Sequence, residues 1–144
     1  MAPAESPPGH VPIRIVAHHA LWDCWSHERD VALLIGAAPP AEPDEVLSCL
    51  RYVSAFSAAL GVSSRSKIAD VLAVEADSPS SSFVLNLGET VVVQDGIAPL
   101  GAPCLSGDSV ALIEGISIRA PLPESAPTEW LQLREGLATL FTPT

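Results

Sequence analysis

The pattern of apolar and polar positions predicts two helices in the first part of the chain. Residues 12–35 contain no internal Gly or Pro, and Gly36 with the prolines that follow is typical of a helix end. A second helix is predicted over residues 44–60, where apolar residues recur at helical spacing. Asp44 is expected to be its N-cap and Gly61 its C-terminal cap.

Three short apolar runs of strand length follow these helices. They lie at residues 71–76, 83–87 and 90–94 and are separated by turn residues. Their lengths and the short connections predict an antiparallel meander. A further short edge strand is expected near residues 102–105.

Two more helices are predicted after the strands. Ser106 and Asp108 can each cap a third helix that reaches about Ser117. A final helix is expected to begin near Thr128, because four apolar residues beyond it share one helical face: Trp130, Leu133, Leu137 and Phe141.

This order of elements indicates an α+β fold. We expect a long N-terminal helix followed by a small antiparallel sheet with helices packed on one face, since the connections are too short for parallel crossovers. Residues 1–10, rich in Pro and Ala, are predicted to be a disordered tail. Residues 11–36 form the long helix of this scheme, and residues 41–144 form the α+β domain.

Composition narrows the range of partners. The 144 residues carry a formal net charge of −10 and no cluster of basic residues, so neither nucleic acid nor a membrane is expected to bind. The three cysteines are far apart, and Cys24 and Cys49 lie in helical apolar patterns, which predicts buried, reduced thiols. Together with an N-terminus unlike a secretory signal, they predict a cytoplasmic protein.

The first predicted helix carries the side chains that are the best candidates for metal binding or catalysis. His19, Asp23 and His27 fall on one of its sides, together with Ser26 and Asp30. Apolar residues flank this polar stripe on both edges, whereas an ordinary surface helix has a single polar face. We therefore expect the stripe to lie inside a packed assembly, where its polar groups need partners.

Three interpretations of the stripe remain open. Asp23 and His27 stand at i and i+4, so they can reach one metal ion, and a carboxylate with an imidazole suits zinc. His19 lies about 12 Å from His27 along the helix axis, so a further ligand would come from another segment or chain. The same His–Asp pair could instead serve acid–base catalysis or stabilise a buried helix contact.

Two blocks of the sequence resemble one enzyme family. Residues 21–31, LWDCWSHERDV, are similar to the end of the DinB-like helical bundle in relatives of mycothiol-dependent maleylpyruvate isomerase. The pattern there is a Glu, an aromatic residue, a His four positions after the Glu and an Asp three positions after the His. Residues 105–114 and 117–122 resemble the final part of the same proteins, a small sterol-carrier-like domain that ends in a small–Gly–Arg segment. Together the two blocks and the meander between them cover most of residues 12–141.

The resemblance implies a divalent metal, usually zinc, and a low-molecular-weight thiol such as mycothiol. It places His27 at the last metal ligand and Asp23 at the position of the Glu, and it matches Arg119 to an arginine near the thiol cofactor. This chain has Ile118 where the family has Gly. Only the last bundle helix is matched, which leaves three alternatives: the stripe is a relic, another subunit supplies the missing helices and ligand, or the domain has a new use. The apolar flanks of the first helix favour its pairing with a second copy or with a partner protein.

Two functions are expected on these grounds. The first is a small-molecule enzyme or enzyme subunit, an isomerase or transferase with His27, Asp23 and Arg119 as catalytic residues, Arg119 at the cofactor, and Asp23, His27 and His19 as candidate metal ligands. The alternative is a non-catalytic, sterol-carrier-like module that binds an apolar small molecule or a partner protein. The apolar composition and the few charges in residues 68–122 favour the alternative.

Overall fold

A computed structural model describes residues 3–6, 9–39, 41–63 and 68–141. These residues form six strands and four helices. In chain order they are β1 (Pro3–Ser6), β2 (Gly9–Pro12), α1 (Ile13–Leu34), α2 (Pro43–Ser63), β3 (Val71–Asp77), β4 (Ser81–Leu87), β5 (Val91–Asp95), β6 (Cys104–Asp108), α3 (Ser109–Ile116) and α4 (Thr128–Phe141).

The chain divides into two compact units, Met1–Tyr52 and Val53–Thr144, and the division falls within α2. The first unit opens with an antiparallel hairpin of β1 and β2, in which Pro3 stands opposite Pro12. The disordered tail predicted for residues 1–10 is therefore wrong for the residues of β1 and β2, while residues 1, 2, 7 and 8 lie outside the described part. Backbone pairing needs no apolar side chains, and a two-stranded ribbon tolerates proline because each strand has an edge that needs no amide donor.

The long helix α1 agrees with the prediction from the sequence. It ends where expected, with the Gly36 amide donating to the Leu33 carbonyl at 3.2 Å and the Ala37 amide donating to the Ala32 carbonyl at 2.8 Å. This pair of hydrogen bonds is the Schellman motif, which satisfies carbonyls that the helix end would otherwise leave unpaired.

The second helix differs from the prediction at both ends. It begins at Pro43, whose missing amide is harmless in a first helical turn, and it continues through Gly61 to Ser63. The prediction that Gly61 is a C-terminal cap is therefore wrong. A Cβ atom at Gly61 would collide with Cδ2 of Leu133 on α4, so the glycine allows close contact between two helices instead of ending one.

The second unit contains a four-stranded sheet in the order β5–β4–β3–β6. The antiparallel meander of β3, β4 and β5 is confirmed, and so is the α+β class. The sheet is mixed, however, because β6 pairs parallel to β3, with Val74 opposite Leu105. The short connection does not prevent this arrangement: β5 already runs parallel to β3, and the eight residues 96–103 extend to roughly 30 Å, against about 14 Å for three strand spacings.

The core of this unit lies at the centre of the sheet and along one face of each following helix. Leu72, Val74, Phe83 and Leu85 are fully buried. Helix α4 buries Trp130, Leu133 and Leu137 as predicted, while the side chain of Phe141 lies outside the described part. Within the described ranges, every helix is too short or too polar to span a membrane.

Candidate functional site

Helix α1 is oriented by its two tryptophans. Both tryptophans, Trp22 and Trp25, are buried, and so is Ser26, which follows Trp25. Aromatic side chains bury 150–250 Å² each in typical proteins, more than the smaller apolar residues of α1 offer. The helix therefore turns its indoles inward, and the polar stripe lies to one side of the buried face.

The predicted pair Asp23 and His27 is brought together, but at the surface. His27 Nε2 lies 3.4 Å from Asp23 Oδ1, and the two side chains are 67% and 55% exposed. On its other side, His27 Nδ1 lies 3.9 Å from Asp30 Oδ2. The expectation of an enclosed stripe is wrong for Asp23 and His27 within this chain, because burial of the indoles leaves these residues in solvent.

His19 is separated from that pair and belongs to an aromatic cluster. Its Nδ1 atom lies 2.6 Å from the Tyr52 hydroxyl, and its ring meets Trp22 edge-on at 5.5 Å between ring centroids. Burial raises the pKa of Tyr52 to about 12, so the phenol is protonated at neutral pH and can donate to the imidazole. This contact joins α1 to Tyr52 near the middle of α2, within the first unit.

Of the three predicted metal ligands, Asp23 and His27 lie next to each other, and His19 does not. Asp23 and His27 supply one carboxylate and one imidazole, whereas zinc sites use three or four protein ligands. Among the residues that the structure describes, no three side chains of His, Cys, Asp or Glu come together around one point. Any further ligands for a metal at this pair would therefore have to come from outside those residues.

The cysteines follow the predicted pattern in part. Cys49 is fully buried, and burial with the nearby Glu45 raises the pKa of its thiol to about 12. Cys24 is exposed on α1, so its predicted burial is wrong. The reason is again the rotation of α1, which places Cys24 opposite the buried indoles.

A strained turn follows α3 and carries Arg119. The Ile118 amide donates to the Gly115 carbonyl at 3.3 Å, and the Arg119 amide donates to the Glu114 carbonyl at 2.9 Å, the same Schellman pattern that ends α1. The left-handed position of this motif, with φ near +68°, is occupied by Ile118. A β-branched residue there is a genuine outlier, and such strain is concentrated at functional sites.

This turn forms one wall of an open pocket of about 430 Å³. Its lining combines apolar side chains with two arginines and consists of Ile118, Arg119, Ala120, Pro121, Leu122, Leu131 and Arg134. The wall packs closely on α3, because a Cβ atom at Gly115 would stand only 2.7 Å from Leu122 Cδ2. The pocket is therefore shaped by the fold of residues 115–122 as well as by the side chains that line it.

Arg134 fixes this wall to α4. Its Nε atom donates to the Gly115 carbonyl at 2.9 Å, and its Nη2 atom donates to the Ala120 carbonyl at 3.1 Å. Hydrogen bonds from a charged donor are stronger than neutral ones, and the rigid guanidinium fork fits two acceptors at once. Arg134 thus positions the turn that presents Arg119, which is itself exposed at the pocket.

The charge at this pocket is opposite to that of its surroundings. Residues 68–144 contain ten Asp and Glu residues but only two basic ones, Arg119 and Arg134. Both basic residues line the same pocket. The only two basic residues of this sequence segment therefore meet at one pocket.

The resemblance predicted Arg119 as a site residue, whereas Arg134 was missed. The signal that could have found Arg134 is its rarity, since it is the only other basic residue after position 67. Its role depends on α4 lying beside the end of α3, and local sequence patterns do not predict that contact.

Comparison of this chain with protein-family models, curated proteins and solved structures finds no match in any of the three. The resemblance to the maleylpyruvate isomerase relatives therefore stays a prediction from residues 21–31, 105–114 and 117–122.

Proposed function

We propose that this chain is a binding module for a small amphipathic molecule that carries an anionic group. The observation that supports the proposal most directly is that both basic residues of the acidic segment 68–144 line one pocket. The apolar part of the ligand packs on Ile118, Leu122 and Leu131, and its anionic group binds Arg119.

The size and chemistry of the pocket fit such a ligand. Pockets for small molecules range from about 300 to 1,000 Å³ and are mostly apolar with a few placed polar groups. A carboxylate is the preferred anion, because a guanidinium can meet its two oxygens in a bidentate pair. Arg119, exposed at the pocket, provides this contact. Arg134 donates to the Gly115 and Ala120 carbonyls and acts as a positioning residue.

A binding titration with a medium-chain fatty acid and its methyl ester tests this proposal. The wild-type protein is expected to bind the acid more tightly than the ester. Arg119→Ala is expected to weaken binding of the acid by roughly 10- to 100-fold, the cost of a charged hydrogen bond of about 1.5–3 kcal/mol, and to leave binding of the ester unchanged.

Arg14→Ala is the matched control, because Arg14 is exposed on α1 and belongs to the other unit. Its effect on either ligand should be within error. If wild-type protein binds neither compound, or if Arg14→Ala and Arg119→Ala weaken binding equally, the pocket is not the binding site.

A second candidate function is the metal- or thiol-dependent isomerisation or transfer implied by the family resemblance. The contact of 3.4 Å between Asp23 and His27 favours it, since both groups face solvent and are available to an incoming ion. Here a second chain supplies the remaining ligands. A protein of this kind belongs in the cytoplasm, as the cysteine pattern predicts.

Metal analysis of purified protein tests the second candidate. We expect bound zinc in the wild-type protein, its loss in the double variant Asp23→Ala/His27→Ala, and its retention in His18→Ala, which changes an exposed histidine on the same helix. Wild-type protein that takes up no divalent metal after incubation with zinc contradicts this function.

A further inference from the structure

The turn after α3 holds Ile118 in a backbone conformation that its side chain disfavours. A strained residue of this kind persists only where the surrounding structure fixes its conformation. Here the Ile118 amide donates to the Gly115 carbonyl, and the Arg134 guanidinium donates to the Gly115 and Ala120 carbonyls on either side of the strained position. The turn therefore sets φ at position 118 to +68°, a value that glycine would adopt without strain.

Packing in the core does not account for an isoleucine at this position. Ile113 and Ile116 of α3 belong to the core and are 0% and 1% exposed. Ile118 is only half-buried and lines the open pocket. Its branched side chain therefore contributes an apolar wall to the pocket, at a position where the backbone favours a residue without a side chain.

The other two large aliphatic residues of the pocket have an ordinary structural explanation. Leu122 packs on α3, where a Cβ atom at Gly115 would stand 2.7 Å from its Cδ2 atom. Leu131 is 43% exposed on α4, and leucine is a good helix former. Ile118 instead precedes Arg119 directly, with about 3.8 Å between their Cα atoms. Both residues line the pocket, so one ligand can contact both.

We propose that Ile118 is a specificity-determining residue of this pocket and selects carboxylates with an aliphatic chain over short carboxylates such as acetate. The inference rests on the proposed function and adds which acids the pocket prefers and which side chain makes the difference. A short carboxylate uses Arg119 alone, whereas an aliphatic chain also contacts Ile118. Each methylene group buried in this contact corresponds to about fourfold in affinity.

Three probes separate the two parts of the ligand in titrations of the full chain followed by NMR. Octanoate has both the charge and the chain, methyl octanoate has the chain alone, and acetate has the charge with almost no chain. Ile118→Gly is expected to weaken binding of octanoate and of methyl octanoate by the same factor, about 4- to 16-fold for the contact of one or two methylene groups. Its affinity for acetate should equal that of the wild type.

Two further variants assign the effect to the side chain. Ile118→Ala also lacks the branched side chain but keeps the strained backbone, so its loss of affinity should be similar to that of Ile118→Gly. Ile97→Gly is the matched control, because Ile97 is 81% exposed and lies outside the residues that line the pocket. It should bind all three probes as the wild type does.

Unchanged binding of octanoate by Ile118→Gly contradicts the proposal. So does a loss of acetate binding as large as the loss of octanoate binding, because Ile118 would then act only by positioning Arg119. A loss in the glycine variant that the alanine variant does not share would assign the effect to the backbone and also overturn the inference.

Failure of the proposed function gives a different result. Octanoate would then bind equally to the wild-type and Arg119→Ala proteins, or to neither, and the inference about Ile118 would fall with it. Octanoate binding that depends on Arg119 and not on Ile118 would contradict this inference alone.

Discussion

At the scale of single residues, the chain uses one turn motif with two different amino acids. Gly36 and Ile118 occupy the equivalent left-handed position after α1 and α3, with φ values of +71° and +68°. For a residue with a side chain this conformation costs about 1–2 kcal/mol, which glycine avoids. Ile118 therefore carries strain at the position that precedes Arg119, where the family resembled by this sequence has glycine.

The strain at Ile118 can be measured by comparing two substitutions there. Both Ile118→Ala and Ile118→Gly remove the same branched side chain, but only glycine relieves the backbone. We expect the glycine variant to have a free energy of unfolding about 0.5–1 kcal/mol higher than the alanine variant, which is the strain less the greater chain entropy of glycine. Denaturation by urea measures the difference.

Gly36→Ala is the matched control for this comparison. No atom lies within 4 Å of the Cβ that it would add, so its cost should come from the backbone alone and should be of similar size. If the alanine variant at position 118 is the more stable of the pair, the turn carries no strain that glycine relieves.

At the scale of secondary-structure elements, local signals predicted most of the fold. The Pro-free and Gly-free run predicted α1, and short apolar runs separated by turn residues predicted β3, β4 and β5. The direction of β6 was not predictable in this way, because a strand of five residues has the same local pattern whether its neighbour runs parallel or antiparallel. Gly61 was misassigned for a related reason: a glycine that admits a neighbouring helix and one that ends a helix look alike in sequence.

The cap of α3 distinguishes two residues that the sequence left as alternatives. The Asp108 carboxylate accepts a hydrogen bond of 3.0 Å from the Ala111 amide, whereas Ser106 lies two residues earlier in β6. Asp108→Ala should lower the free energy of unfolding by about 1 kcal/mol, the usual cost of losing an N-cap. Ser106→Ala should change it by less than half as much. Equal effects in thermal or urea denaturation would contradict the assignment of Asp108.

The contact between Gly61 of α2 and Leu133 of α4 can be tested by a double-mutant cycle. Gly61→Ala adds a methyl group where Leu133 Cδ2 already lies, and overpacking of this kind costs about 1–3 kcal/mol. In a Leu133→Ala background the space is free, so the same substitution should be neutral or stabilising, since alanine is the better helix former. Additive effects on the free energy of unfolding would show that the two residues do not compete for space.

At the scale of the whole molecule, charge is distributed unevenly. The chain has a formal net charge of −10, yet Arg119 and Arg134, the only basic residues of the acidic segment 68–144, line the same pocket. Net charge alone predicts that phosphate-rich polymers are poor ligands, but it gives no indication of this pocket. The pocket could not be predicted from local patterns, because its two arginines are 15 positions apart and meet only through the packing of α4 beside the turn after α3.

The chain is acidic while the pocket is lined by two arginines. This difference predicts that salt speeds up the association of an anionic ligand. The acidic side chains repel an approaching carboxylate over long distances, and salt reduces this repulsion strongly, since the Debye length falls from about 30 Å at 0.01 M to about 8 Å at 0.15 M. The contact with Arg119 acts over a few ångströms and is screened much less. The association rate of a fluorescent fatty acid, measured by stopped flow, should therefore rise roughly two- to tenfold over this range.

An uncharged analogue of the same fluorophore is the control, and its association rate should not depend on salt. Arg119→Ala should preserve the rise in association rate, because the distant acids remain, while its dissociation rate increases with the loss of the guanidinium contact. An association rate that falls as salt is added would mean that the field of the two arginines dominates the approach of the ligand. The net charge of the chain would then have little influence on what the pocket binds.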